Sequence, residues 1–254
     1  TVERIRQTQS SFVAAAVRAR QAGFDAVEIH GAHGYLLSQF LSTVENMRDD
    51  DYGGSDQNRA RFSCDIVRQV KHAVPELAVI FRMNAEDYFE GGMTLVQAIQ
   101  LAQWIEEAGA DAIHVTAGHY RSQPSAAIMI PPMAAGRMPF RAYAKAIKQA
   151  VSVPVISVGR YGNPQDAKDV IAAGDADFIT QFNNEELEKS LFETVNQLSV
   201  KTLENPLSAE EYECERLGGC YLHVSSDRFY LKGFEKYSGR AMETNWITLE
   251  DLSS

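Results

Sequence analysis

The chain has 254 residues, 45% apolar and 23% charged, the composition of a soluble globular protein able to bury a large core. A formal charge of −10 argues against nucleic acid or an anionic membrane as partner. No apolar run approaches a membrane span, no signal peptide opens the chain, and Cys64, Cys214 and Cys220 form no C-x-x-C pair, so a cytoplasmic protein without a metal site is expected.

Strand-like and helix-like segments alternate through residue 180. Ile5, Phe12, Ala15, Ala16 and Ala19 recur at helical spacing, which predicts a helix over 2–22 ending at Gly23. A strand is expected over 24–30, a helix over 58–73 and a strand over 77–83. Thr94 and Gly109 bracket a helix over 94–108, followed by a strand over 112–115. A helix over 139–150, a strand over 153–158, a helix over 164–173 with Pro164 in its first turn, and a short strand over 177–180 complete the series.

Three phrases nearly repeat: Ala22-Gly23-Phe24-Asp25-Ala26, Ala108-Gly109-Ala110-Asp111-Ala112 and Ala173-Gly174-Asp175-Ala176-Asp177. Each reads as a helix end running into a strand, as β/α units of one barrel would. The fold class expected is α/β, a partial (β/α)8 TIM barrel of about five units, over residues 1–181. The chain opens on Thr1 rather than Met and partway through a unit, as a processed, excised or partial chain would.

From Phe182 the texture changes. Residues 182–254 hold 14 acidic and 7 basic residues and so carry −7 of the charge. They read as an unrelated, mostly helical extension of unknown role: an amphipathic helix over 185–203, a second helix opening at Ser208, and two short strands, 220–224 and 228–234.

The segment Val27-Glu28-Ile29-His30-Gly31-Ala32-His33-Gly34-Tyr35 runs an apolar strand into two histidines and a tyrosine. H-x-x-H after a strand fits a metal pair, a hydrogen-bonding pair or a structural pair. No adjacent third ligand of the H-E-x-x-H kind accompanies it. Arg82 ends a strand, where it serves a ligand or pairs with a carboxylate such as Glu28 or Asp87. His119 and Arg121 lie in the loop His114-Val115-Thr116-Ala117-Gly118-His119-Tyr120-Arg121, as substrate contacts or as ordinary loop residues. Gly159 and Arg160 follow a strand and precede a helix N-terminus, a place suited to phosphate.

These segments, with Asn46-Met47-Arg48-Asp49-Asp50-Asp51-Tyr52-Gly53-Gly54-Ser55 and Asn58-Arg59-Ala60-Arg61-Phe62, closely resemble the Old Yellow Enzyme family of NADH:flavin oxidoreductases and ene-reductases. Pro131-Pro132-Met133 resembles the branch with enoate and 2,4-dienoyl-CoA reductases. The resemblance implies an FMN-dependent enzyme that takes electrons from NAD(P)H and reduces an activated C=C bond in a small α,β-unsaturated substrate. It implies that His30 and His33 hydrogen-bond the substrate carbonyl, that Tyr35 gives a proton to the α-carbon, and that Arg82, Gly159 and Arg160 hold FMN. Most residues of the 46–62 signature read as loop architecture.

The resemblance covers residues 1–180, from the family's third helix to its eighth strand, and leaves out its first three strands. After the last strand Gln181-Phe182-Asn183 stands where the family has a small residue and an arginine for phosphate. A homo-oligomer or a partner chain would complete the barrel. The alternative is a catalytically inactive family member, or an interaction module, that binds no flavin. A phosphate-binding isomerase or aldolase barrel fits Gly159 but leaves the His-His-Tyr segment unexplained.

Overall fold

In a computed structural model of the chain, the described residues are 1–162, 164–180, 221–225 and 228–232. The chain divides into two units, Thr1–Gln181 and Phe182–Ser254. In the first, helices and strands alternate: α1 (Val2–Gln21), β1 (Ala26–Gly31), α2 (Leu36–Leu41), α3 (Asp56–Ala73), β2 (Ala78–Asn84), α4 (Leu95–Glu107), β3 (Ala112–Thr116), α5 (Gln123–Met129), α6 (Arg141–Lys148), β4 (Val155–Val158), α7 (Pro164–Ala172) and β5 (Phe178–Thr180). The second contributes an antiparallel hairpin, β6 (Tyr221–Ser225) with β7 (Arg228–Lys232), within a residue or two of the expected strands. The helices expected over 185–203 and after Ser208 lie outside the described residues.

Every strand and longer helix expected in residues 1–180 is present, with ends shifted by local chemistry. Ser55 Oγ accepts the Asn58 N–H at 3.2 Å and so starts α3 two residues early. Gln97 Oε1 accepts the Thr94 N–H at 3.2 Å, half of a capping box at the head of α4. β1 starts at Ala26 rather than residue 24 because the chain is still unwinding from α1, with Phe24 N–H on the Ala19 carbonyl at 3.1 Å. Two helices were not expected, the six-residue α2 and the seven-residue α5.

The five strands form one parallel sheet in sequential order β1-β2-β3-β4-β5. This is the architecture of consecutive units of a (β/α)8 barrel. Val79, Phe81, Ile113 and Val155 are fully buried in one core with Ile66, Val70, Ile105 and Ile147 of the flanking helices. Their strand neighbours alternate to the other face. There the register sets His30, Arg82, His114, Ile156 and Phe178 in one row across all five strands. Glu28, Ile80 and Ala112 form the row before it; Asn84, Thr116, Val158 and Thr180 form a row after it.

The repeated phrases have a structural job. Asp111 N–H donates to the Val79 carbonyl at 2.8 Å, and its carboxylate accepts the Val79 N–H at 2.7 Å. Asp177 brackets Val155 in the same way, at 2.8 Å in both bonds. Each aspartate is also paired with a lysine near the end of a preceding helix, Lys71 for Asp111 and Lys148 for Asp177. The repeat thus locks the entry of one strand to its neighbour.

Candidate active site

At the end of β1 the chain turns sharply. His33 is left-handed at φ 64° and Gly34 follows at φ 83°. A Cβ on Gly34 would lie 2.6 Å from the His119 ring, so both space and backbone angle demand glycine. The turn brings the three expected residues together. The His30 ring lies 5.2 Å from that of His33 and 5.2 Å from that of Tyr35. His33 is buried, with Nε2 at 3.0 Å from Thr116 Oγ1 and its N–H on Asn84 Oδ1 at 3.3 Å. Tyr35 stays 49% exposed and donates its hydroxyl to Tyr120 at 3.2 Å.

Both histidines favour the neutral ring. Burial, then the nearby Arg82 charge, pushes His33 down to about 3. Burial lowers His30 as well, with Arg82 adding to it. Tyr35 is held above its ordinary value, first by the hydrogen bond it gives Tyr120 and then by its surroundings, so it keeps its proton at neutral pH.

Arg82 sits in register between His30 and His114. Of the two carboxylates expected as partners, Glu28 lies nearer in function: its Oε1 is 3.8 Å from Arg82 Nη1. Asp87 instead accepts from Asn84 Nδ2 at 2.6 Å and from the Met93 N–H at 2.8 Å. Glu28 Oε2 meets His114 Nδ1 at 2.5 Å. Burial alone would raise the Glu28 carboxyl, but the His114 bond and the charges around it hold it below its ordinary value.

His119 is 2% exposed, and both of its ring nitrogens are engaged. Nδ1 accepts the Arg121 N–H at 3.0 Å and Nε2 lies 3.2 Å from Glu45. Arg121 faces the same Glu45 at 3.7 Å and lies over the Phe89 ring. Gly159 and Arg160 follow β4, beside β3, both with left-handed backbone. Arg160 Nη1 donates to the carbonyls of Pro132, Met133 and Gly136 at 3.1, 3.0 and 2.6 Å. The 46–62 signature builds its own loop: Asn46 Nδ2 holds the Phe40 and Tyr52 carbonyls, and Arg48 pairs with Asp50.

Sequence reasoning passed over Asn84, Thr116, Glu45 and Tyr120 and gave His114 no role. For Asn84, Thr116 and His114 the signal is register across strands that lie far apart in sequence, whereas Glu45 and Tyr120 lie in loops that the fold brings to the site.

The sequence profile of the NADH:flavin oxidoreductase / NADH oxidase family matches residues 1–184, four residues past the point where the sequence reading had the resemblance end. The chain belongs to this family. FMN is the family's cofactor and NAD(P)H its electron donor. The chain is 44% identical over 181 residues to an NADH oxidase of Thermoanaerobacter brockii, covering 70% of this chain and 27% of that protein. It is 37% identical over 182 residues to an NADPH dehydrogenase of Bacillus cytotoxicus, covering 70% and 49%. Among solved structures it is similar to 2-naphthoyl-CoA reductase in complex with 2-naphthoyl-CoA, with a TM-score of 0.67 and 30% identity over 71% of this chain and 27% of that one. Histamine dehydrogenase from Rhizobium sp. 4-9 follows at a TM-score of 0.63 and 28% identity, covering 71% and 26%. The chain thus spans about a quarter to a half of the length of these similar proteins. Among its described residues no helix is long and apolar enough to cross a membrane.

Proposed function

We propose that the chain carries the substrate-activating part of an FMN-dependent NAD(P)H:flavin oxidoreductase that reduces activated C=C bonds of small α,β-unsaturated molecules. The observation that carries this reading is the convergence of His30, His33 and Tyr35 at the end of β1, with Arg82 in register beside His30.

The residues present fit a flavin's polar edge. Arg82 is a permanent cation on the strand face that also holds His30. The buried His114 Nε2 has no hydrogen-bond partner among the described residues. Gly159 offers left-handed backbone before the α7 N-terminus for the phosphate, with Arg160 reaching it by exchanging loop carbonyls for phosphate oxygens. The chemistry FMN supplies when bound is hydride delivery to the alkene β-carbon.

The chain's own part is to activate the substrate and deliver a proton. Neutral His30 and His33 donate to the substrate carbonyl, where enolate charge develops. Thr116 fixes the His33 ring by its bond to Nε2, leaving Nδ1–H for substrate. Tyr35, kept protonated, gives its proton to the α-carbon. His119 and Arg121 act through Glu45 to hold the loop that presents Tyr120. A homo-oligomer or partner chain that completes the barrel, in the cytoplasm, belongs to the same reading.

The visible spectrum of the purified chain, before and after adding FMN and desalting, tests it. Retained flavin absorbance that NAD(P)H bleaches and an activated alkene restores is the expected result. A colourless chain that never retains FMN would overturn it in favour of a family member that binds no flavin.

A further inference from the structure

We propose that Glu28, fixed by His114, is the positioning residue for Arg82 and sets the net charge which the His30–Arg82–His114 row presents to a bound cofactor. This rests on the flavin reading above, adds Glu28, which that reading does not use, and gives His114 a second part through its Nδ1.

The three basic side chains stand in one row across β1, β2 and β3. Glu28 stands in the row before it, two residues from His30 on the same face. It is therefore placed on the strand-entry side of the row, away from the loops that carry Tyr35 and Tyr120. Its two oxygens are divided: Oε2 takes His114 at 2.5 Å and Oε1 faces Arg82 at 3.8 Å. An ionised carboxylate only accepts, so His114 Nδ1 carries the proton in that bond. His114 is 3% exposed and fixed on a fully buried strand, so it anchors the carboxylate rather than following it.

Stability is a weak reason for this arrangement. At 3.8 Å the Arg82–Glu28 contact is a loose ion pair, and taking two charges largely out of water offsets much of its attraction. Its electrical consequence is larger. His30 and His33 are neutral, so Arg82 is the permanent charge beside them, and Glu28 cancels it from the strand-entry side. Reduced flavin is an anion and oxidised flavin is neutral, so the cancellation lowers the preference for the reduced form.

The test compares Glu28→Gln and His114→Phe with the unsubstituted chain. Glu28→Gln keeps an oxygen for His114 and removes the charge. It should raise the preference for reduced over oxidised FMN by about tenfold, about 30 mV for a two-electron couple. His114→Phe keeps the Glu28 charge and removes its holder, and should move that preference less. In the flavin-free chain, phenylglyoxal modification of Arg82, read by peptide mass, should be several-fold faster in both variants. An unchanged reduced-to-oxidised preference in Glu28→Gln, or equal changes in the two variants, would overturn the charge assignment. An unchanged Arg82 modification rate would overturn the positioning role. A chain that retains no FMN defeats the flavin reading, and with it the charge assignment, while the modification rate still decides the positioning role.

Discussion

His33 and His119 pair as a parallel β-bridge beyond the ends of β1 and β3, although β2 lies between those strands. The Tyr120 N–H extends the bridge to the His33 carbonyl at 3.4 Å. Asn84, the last residue of β2, fills the gap beneath: its Oδ1 accepts the His33 N–H, and its Nδ2 donates to the Gly118 carbonyl at 2.7 Å and to Asp87. One buried amide therefore joins the loops that carry Tyr35 and Tyr120. Asn84→Ala strands buried partners on both loops and should cost about 2–3 kcal/mol in urea unfolding. Asn84→Asp should cost at least as much, because it loses both donations and sets a second carboxylate beside Asp87. A loss below about 0.5 kcal/mol for Asn84→Ala, within the range of ordinary surface substitutions, would mean that the loops hold without it.

Tyr35 and Tyr120 are exposed, so removing their hydroxyls should leave the fold intact. Under the proposed function Tyr35→Phe should slow alkene reduction by about a hundredfold or more while flavin reduction by NAD(P)H stays nearly unchanged. Tyr120→Phe removes only the acceptor that orients the Tyr35 hydroxyl and should slow the same step by about fivefold, the worth of one ordinary hydrogen bond. Stopped-flow measurement of the two half-reactions separates these effects. Equal losses in both would point to damaged folding and sink the proton-donor role.

The parts of this molecule that were legible in sequence are those whose physics is local. The strands are short apolar runs and the glycines at 23, 109 and 174 mark helix ends, so the alternation could be read directly. His30, His33 and Tyr35 lie within six residues, so one turn suffices to gather them. The helix α2 escaped because Leu-Leu-Ser-Gln-Phe-Leu is too short to show a period, and α5 because Pro124 stands where breakers usually do. Glu28 was one of two carboxylates the sequence offered to Arg82, but the row His30–Arg82–His114 and the hold of His114 on Glu28 could not be read. The row exists only through the register of three strands, and a one-residue slip would send each side chain to the other face. His119 shows the same limit: the sequence offered it as a substrate contact or an ordinary loop residue, and only the structure shows both of its ring nitrogens engaged, with Glu45 and the Arg121 N–H.

His33 should make the fold acid-sensitive. Its folded value, about 3, lies below the ordinary 6.5, so between these values the unfolded chain binds a proton that the folded chain does not. Stability is then full above about pH 6.5 and falls as the pH drops toward 3. At about 1.4 kcal/mol per pH unit, this one group removes about 2 kcal/mol between pH 7 and pH 5. His33→Gln lacks the titration. Urea unfolding at the two pH values should show the unsubstituted chain losing about 2 kcal/mol more than the variant. Equal losses would place the acid sensitivity elsewhere.

The bracket between Asp111 and Val79 should be worth more than its ion pair. Lys71 and Asp111 meet at 2.8 Å but both are substantially solvated, and such pairs contribute at most about 1 kcal/mol. The Asp111 carboxylate also accepts the N–H of Val79, a fully buried residue at the start of β2, through a charge-assisted bond. Asp111→Ala removes both and leaves that N–H without its acceptor, so it should cost about 2 kcal/mol. Asp111→Asn keeps an oxygen for Val79 and loses the charge, and should cost about half as much. Lys71→Met should cost less than Asp111→Ala, because the bracket survives it. Asp177→Ala should behave like Asp111→Ala, since it holds Val155 in the same way with Lys148 beside it. If Lys71→Met and Asp111→Ala cost the same in urea unfolding, the repeat is a salt bridge and nothing more. If Asp111→Ala clearly exceeds it, the bracketing aspartates of the second and third repeats, Asp111 and Asp177, fix their strands' register to the neighbour.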